Sequence, residues 1–416
     1  MNIWIVNPFD PLPGEAFRAG RYAFIAETLV RNGHRVVWWT SSWFHYSKSY
    51  RSADDFKQRD DFKVIYIPTP PYRNNIGMAR LYNHFKYGAE FRRLAIQDTN
   101  SPDIILASFP PIGSATAAIT VARKHRCKVV VDIQDLWPEV FLLAFPVNLR
   151  PIANILFTPF YWQVRGIMNR ADAIMAVSLD YLQAGQRRCE TEKPGLSLHL
   201  GIDLASFDKR KNSEPLSPII QKRPGVKWII YIGTMGKTYD LDAIIKSACY
   251  LKNKNEIKFI FAGAGPELQR IKEIAKSENL GNVCFTGFLK ADELNDLLIK
   301  CDIGLNTFAP DAPQSFPNKV FDYLAAGLPV INSISGELRE ILTQRNAGLW
   351  YQSGNPESLV KAIDILLNDD EKRKKMAGNA RRLVEERYDR NKTYPSIIPF
   401  FEKVIEDHEK ADISAT

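Results

Sequence analysis

PQSFPNKVFDYLAAGLPVI, residues 313–331, holds a proline-rich loop, then Lys319, then a short helical stretch with Asp322 near its start, then Gly327 and an apolar strand. The N–H groups at a helix start have no intrahelical acceptor, so a diphosphate suits them, and a lysine beside them adds a point charge. A carboxylate on the first turn can accept hydrogen bonds from ribose hydroxyls. The same string also fits an ordinary loop–helix–strand unit with an acidic residue near the helix start. Its neighbours along the chain bear on the choice.

Upstream, KWIIYIG (227–233), KFIFAG (258–263), NVCFTG (282–287) and DIGLNTF (302–308) read as apolar strands separated by helical patterns, and LPVINS (328–333) and GLWY (348–351) continue the series. The N-terminal half repeats the plan with NIWIVNP (2–8), HRVVWWTS (34–41), KVIYIP (63–68), DIILAS (103–108), KVVVDI (128–133) and ADAIMAVS (171–178). Continuous apolar strands alternating with helices mean parallel sheets covered on both faces. The expected fold is therefore α/β: two doubly wound, Rossmann-like domains facing a cleft. The polar stretch 208–225 marks the junction. The first domain is expected over 1–207, joined by a C-terminal helix at 391–416, and the second over 208–390.

Several side chains invite chemistry. Gly233, Gly236, Gly263 and Gly265 follow strands, where glycine allows close backbone approach to phosphate or simply makes a tight turn. Lys237 and Lys319 supply cations for such a site. Asp240 and Asp242 spell D-x-D, yet they stand at a helix start, where acidic residues cap N–H groups. The six histidines form no ligand spacing, so no metal is expected. Asp132, Asp135 and Glu139 lie at a strand end, placed either to orient or deprotonate an acceptor hydroxyl or to cap the turn that follows. Arg18 and Arg21, close to Gly14 and Gly20, either meet a phosphate or are solvated helix charges.

The 313–331 stretch resembles the P-S-K-x-x-E-Y-x-x-x-G-K-P-V-I signature of retaining family-4 glycosyltransferases with the GT-B fold, and most closely bacterial O-antigen and capsule enzymes of the fucosamine-transferase type. Other segments fall in the family's order. LHLGIDLASF (198–207) resembles its N-G-V-D-x-x-x-F element, YIGTMGKTYDLDAII (231–245) its glycine-loop start, and FAGAGPEL (261–268) its G-x-G-P-x-x. FTGFLKADELNDLLIKCDIGL (285–305) resembles the element that cradles the base, DIQDLWPE (132–139) the D-x-W-P of the acceptor domain, and LPGEAFRAGRYAFIAETLVRNGHRV (12–36) the first glycine-containing loop and helix.

The resemblance implies a donor site drawing on Gly14 and Arg21, on Gly233, Thr234 and Gly236, and on Gly263, Gly265, Pro266 and Phe288. From the signature itself it adds Gln314, Ser315, Phe316, Pro317, Asn318 and Asp322, with Lys237, Lys319 and Asp135 in catalytic roles. Several positions depart from the family, Asn318 standing where its Pro-Ser-Lys triplet has serine. Its two glutamates are here Gln314 and Asp322; Asp322 keeps a carboxylate while Gln314 loses the charge. Thr234 stands where the family has arginine. The implied activity is sugar transfer with retention from a nucleoside diphosphate sugar, UDP-linked, to a glycan or polyprenyl-phosphate-linked acceptor in surface polysaccharide synthesis, without metal or other cofactor. Two other readings fit: a GT-B sugar-nucleotide epimerase, and a donor-binding module without turnover.

Composition bounds the rest. The 416 residues are 45% hydrophobic and 25% charged, the make-up of a globular protein of two domains. Five scattered cysteines without a C-x-x-C pair point to reduced thiols and a cytoplasmic setting. The net charge of +8 is uneven: residues 1–200 carry 24 Lys and Arg against 17 Asp and Glu. Two aromatic-basic stretches, 38–51 and 140–165, fall in the same half. They are either core or a surface that meets anionic lipid. Peripheral contact with the inner face of the cytoplasmic membrane is expected, and no nucleic-acid motif is present.

Overall fold

The computed structural model describes residues 1–15, 20–52, 56–74, 77–210, 222–310, 312 and 314–414. Arg18 and most of the polar junction lie outside them. The chain forms two compact units, Met1–His199 with Tyr394–Thr416, and Leu200–Thr393. The sequence set these divisions at 207/208 and 390/391. Ile202, Leu204 and Phe207 are buried in the core of the second unit, because the turn at Gly201 packs against the Tyr388 carbonyl.

Nine strands are described in the first unit: β1 (Asn2–Val6), β2 (Arg35–Ser41), β3 (Trp43–Phe44), β4 (Ser49–Tyr50), β5 (Phe62–Ile67), β6 (Ile104–Phe109), β7 (Lys128–Ile133), β8 (Ala173–Ala176) and β9 (Gly195–Ser197). Seven of them form a parallel sheet in the order β5-β2-β1-β6-β7-β8-β9. The register sets Ile3 against both Val36 and Ile104. Short β9 has only Gly195, Leu196 and Ser197, too few apolar residues to signal a strand in the sequence. The antiparallel pair β3–β4 follows β2 and buries Trp43 and Phe44. The last helix, Ile397–Ser414, adds Ile397, Phe401 and Val404 to the core that holds Ile3, Ile5 and Tyr22.

The second unit contains β10 (Lys227–Ile232), β11 (Ile257–Ala262), β12 (Val283–Gly287), β13 (Ile303–Asn306), β14 (Val330–Asn332) and β15 (Gly348–Trp350). They form a parallel sheet in the order β12-β11-β10-β13-β14-β15. Side chains alternate across it as pleating requires. Trp228, Ile230 and Ile232 enter the core on one face, Ile229 and Tyr231 that on the other. The expectation of two doubly wound parallel α/β sheets holds.

Strand order reverses between β1 and β6 in one sheet and between β10 and β13 in the other. Such switch points leave a crevice at the carboxyl ends of the strands, where ligands of open parallel sheets bind.

Candidate active site

At the switch point of the second sheet, β10 runs into Gly233, Thr234, Met235 and Gly236. Backbone hydrogen bonds lace this loop to the next two: Gly233 N–H donates to the Ala262 carbonyl (2.9 Å), Met235 N–H to that of Ala264 (2.9 Å), and Gly263 N–H to that of Gly287 (2.8 Å). A Cβ on Gly263 would stand 2.0 Å from the Gly233 oxygen, and one on Gly265 would stand 2.3 Å from that of Met235. Both have positive φ. Their lack of a side chain is thus required by the neighbouring loop's backbone, before any phosphate is considered. A Cβ on Gly236 would meet only the Thr234 side chain, at 3.9 Å, and Thr234, Lys237 and Pro266 are exposed.

Lys319 occupies the second position of the helix Asn318–Ala325. The residue is 8% exposed, and its ammonium has no hydrogen-bond partner among the described residues. Nζ sits 4.1 Å from the Tyr231 ring centroid, 4.2 Å from that of Tyr239 and 5.4 Å from that of Phe308. A Cβ on Gly233 would lie 3.7 Å from it. Ring faces attract a cation but accept no conventional hydrogen bond. Burial therefore pushes the lysine down to about 7. No side chain caps this helix, whose N-cap is Pro317. The result is a desolvated donor beside uncapped N–H groups, a constellation that an anion would complete.

The rest of the signature divides. Asn318 is exposed, Gln314 half-buried, and Ser315 and Asp322 buried. Phe316 is a core residue: it stacks on Phe321 at 4.8 Å and 9°, and meets Tyr388 at 5.2 Å, so its expected donor contact is not what the fold uses it for. Phe288, by contrast, is 81% exposed at the end of β12, a ring free to stack on a base. Asp240 caps Leu241–Tyr250 through the Ala243 N–H and also binds Tyr351 Oη and the Gly354 N–H, while Asp242 pairs with Arg270 at 2.8 Å. Both D-x-D carboxylates are thereby engaged.

In the first unit, Arg21 is drawn into the interior. Its guanidinium binds Asp132 through Nε (2.8 Å) and a terminal nitrogen (3.0 Å), and donates to the Leu198 carbonyl. Tyr22 Oη donates to the same carboxylate at 2.8 Å. With both partners almost wholly buried, Arg21 tethers α/β elements and is not presented to a donor, and Asp132 is spent on it. Gly14 lies in a tight turn with open space at its Cβ position. Glu139 pairs with Arg188.

Asp135 is different. It is half-buried beyond β7 and has no hydrogen bond among the described residues. Burial pushes its carboxyl up to about 6, against the pull of Arg80. Around it stand groups that the sequence reading overlooked. Arg80 Nε donates to His84 Nε2 at 3.3 Å. The His84 ring stacks on Trp137 (5.9 Å) and meets Phe9 edge-on (5.1 Å). His45 Nδ1 lies 2.6 Å from Tyr72 Oη and 3.3 Å from Lys48 Nζ. These residues follow β1, β2, β5 and β7 or open the helix Met78–Gln97, at the carboxyl edge of the sheet. Arg80 and His84 are one helical turn apart, but no spacing rule links that pair to the others, which parallel topology gathers.

The aromatic stretches also resolve. In 38–51, Trp38, Trp39, Trp43 and Phe44 are buried, and Arg51 is held by Glu15, Thr40 and two backbone carbonyls. Those side chains are core, while Tyr46 and Tyr50 of the same stretch are exposed. In 140–165, Ile152, Ile155, Leu156, Phe160 and Trp162 are exposed, Trp162 at 72%. No helix among the described residues is long and apolar enough to cross a membrane.

Known proteins resemble this chain in sequence and fold. Residues 21–187 match the glycosyl transferase 4-like domain, and residues 212–383 match the glycosyl transferases of group 1. An uncharacterized glycosyltransferase of Methanocaldococcus jannaschii is 26% identical over 39% of this chain and 41% of its own length. Alpha-monoglucosyldiacylglycerol synthase of Streptococcus pneumoniae is 22% identical over 78% of this chain and 69% of its own. The crystal structure of Anabaena HepE in complex with UDP has a TM-score of 0.68 at 15% identity, covering 97% of this chain and all of that one. The fold is that of the GT-B glycosyltransferases. Within them, the chain belongs to the group 1 enzymes of family 4.

Proposed function

We propose that this protein transfers a sugar, with retention, from a nucleoside diphosphate sugar to an acceptor hydroxyl, with the donor on the second unit and the acceptor on the first. The carrying observation is the buried Lys319 ammonium, orphaned against the Gly233 loop. A diphosphate supplies the missing acceptor, and charge growing on the leaving oxygen strengthens that contact in the transition state. Lys237 and the N-terminus of Asn318–Ala325 add to it, Asp322 takes the ribose, and Phe288 covers the base. UDP is the favoured nucleotide, since HepE, of like fold, has been crystallised with it. The hydroxyl oxygen bonds to the anomeric carbon while the carbon–phosphate-oxygen bond breaks, leaving its electron pair on UDP. Asp135, held near 6 and free of hydrogen bonds, receives the hydroxyl proton.

Thermal-shift titration with UDP tests the donor half. At a hundred times the dissociation constant, UDP should stabilise the protein by about 2.7 kcal/mol. Free UDP should then appear from a UDP-sugar only when an acceptor extract is added. Release without an acceptor, with a changed sugar, would mark an epimerase; binding with no release would mark a donor-binding module.

The acceptor reading extends to a lipid-linked glycan in surface polysaccharide synthesis, O-antigen or capsule, at the cytoplasmic membrane face. The exposed rings and aliphatic side chains of Arg150–Leu156 and Thr158–Arg170 support it, with Arg123 and Arg170 lining a groove beside Trp162. Tryptophan and arginine together suit a headgroup layer. The protein should co-sediment with anionic vesicles at low salt and release at high salt. Trp162→Ser with Ile155→Ser should abolish the binding without shifting the melt, since both side chains are exposed. Sedimentation unchanged by that pair would leave the face without a lipid role.

A further inference from the structure

We infer that the first unit holds an anion pocket, formed by Arg80, Lys48, His45 and His84 beside Asp135, that recognises a phosphate group on the acceptor. The inference rests on the glycosyl-transfer reading and narrows its acceptor to a phosphorylated one.

The decisive group is His84. Its Nε2 accepts the Arg80 Nε hydrogen, and arginine does not give up its proton. The neutral ring therefore carries its hydrogen on Nδ1, and that nitrogen is buried without a partner among the described residues. His84 is 5% exposed. A buried N–H without an acceptor costs free energy that a ligand oxygen would recover. The same deficit exists at Lys319 in the second unit, which like His84 is one of several buried donors without a partner among the described residues.

The surrounding charges agree. His45 is pushed down to about 4 by burial and then by Lys48 and Arg80, and His84 to about 3 by burial, Arg80 and His45. Both histidines are held neutral in a locally positive field. Asp135, raised toward 6 by burial, is still largely ionised at neutral pH, and the charge of Arg80 offsets it. Tyr72 Oη, hydrogen-bonded to His45, and the Lys48 ammonium over the Tyr72 ring complete the lining. A phosphate offers several acceptor oxygens at once, which suits a fork of arginine, lysine and imidazole N–H groups.

Two sources can bring that phosphate: a soluble phosphorylated acceptor or a lipid phosphate. A ladder of ring contacts runs from His84 through Trp137, Phe141 and Phe157 to Phe160, the exposed apolar face described above. The pocket is thus continuous with a surface suited to a lipid.

The test uses the full chain saturated with UDP, so that the donor site is filled. Inorganic pyrophosphate is titrated in by calorimetry, with histidine resonances followed by NMR. We expect binding at a second site, with His45 and His84 moving toward protonation as it fills. Arg80→Gln and, separately, His45→Gln should weaken it at least tenfold while UDP binding and the melting temperature hold. A parallel arm uses neutral phosphatidylcholine vesicles with and without polyprenyl phosphate. Arg80-dependent retention on the loaded vesicles identifies the lipid source, and pyrophosphate binding alone the soluble one. If UDP binds and neither phosphate probe does, or if both variants bind as well as the wild type, the pocket is overturned and the donor reading stands. If UDP itself fails to bind, the donor reading falls separately.

Discussion

Lys319→Met should melt higher than the wild type in the absence of nucleotide and turn over about 10²–10³-fold more slowly, two effects of opposite sign from one atom. Among the described residues the ammonium has no hydrogen-bond acceptor, only rings, and it is pushed down to about 7 by burial. The folded state therefore binds fewer protons than the unfolded one between about 7 and the ordinary lysine value, and stability rises with pH across that window. Below about 7 the full cost of the buried charge applies. Replacing such a charge by an apolar side chain of like length is worth about 1–4 kcal/mol. The kinetic loss follows from removing one preorganised electrostatic donor, about 2.7–4 kcal/mol of transition-state stabilisation. UDP should no longer raise the melting temperature of the variant. In the wild type, UDP binding at pH 8 should draw close to one proton from the buffer, and at pH 6 almost none. Calorimetry in buffers of different ionisation enthalpy reads this directly. Near-native kinetics in the variant would sink the donor-site assignment.

Arg21→Ala should cost about 3–5 kcal/mol of stability, because it strands the Asp132 carboxylate in the interior with only Tyr22 Oη and Gln134 for partners. A denaturant midpoint measures it. Were Arg21 a donor ligand, the midpoint would hold and KM would rise instead. The double change Arg21→Met with Asp132→Leu should recover most of the lost stability, since a buried pair is often replaced by apolar side chains at little cost.

These two residues show what the sequence discloses and what it conceals. Both sheets were legible because strands buried on both faces carry runs such as KWIIYI and IILASF that need no partner to be recognised. Lys319 was legible for a related reason: loop, cation and helix start are contiguous in the chain. Arg21 was not, because its fate is set by Asp132, distant in sequence and adjacent only after β7 is in place. Phe316 likewise lies within the signature, yet the ring of Tyr388 far downstream claims it. The pocket of His45, Arg80, His84 and Asp135 is the extreme case: only Arg80 and His84 share a helical turn, and the other two arrive from separate connections. The short β9 and the β3–β4 pair were missed because a few residues show no alternation.

The chain enters the second unit at Leu200 and returns to the first at Tyr394. During synthesis this orders events. The second unit emerges whole and can close its core while the first still waits for its last helix. Until residues 394–404 leave the ribosome, the site for Tyr394, Ile397, Phe401 and Val404 against Tyr22, Ala26 and Leu29 stands open. Each such side chain contributes about 1.5–3 kcal/mol when buried. A nascent chain halted at 393 would therefore display a folded second unit and an unfinished first one with an apolar wound, the state that a chaperone would be called on to cover.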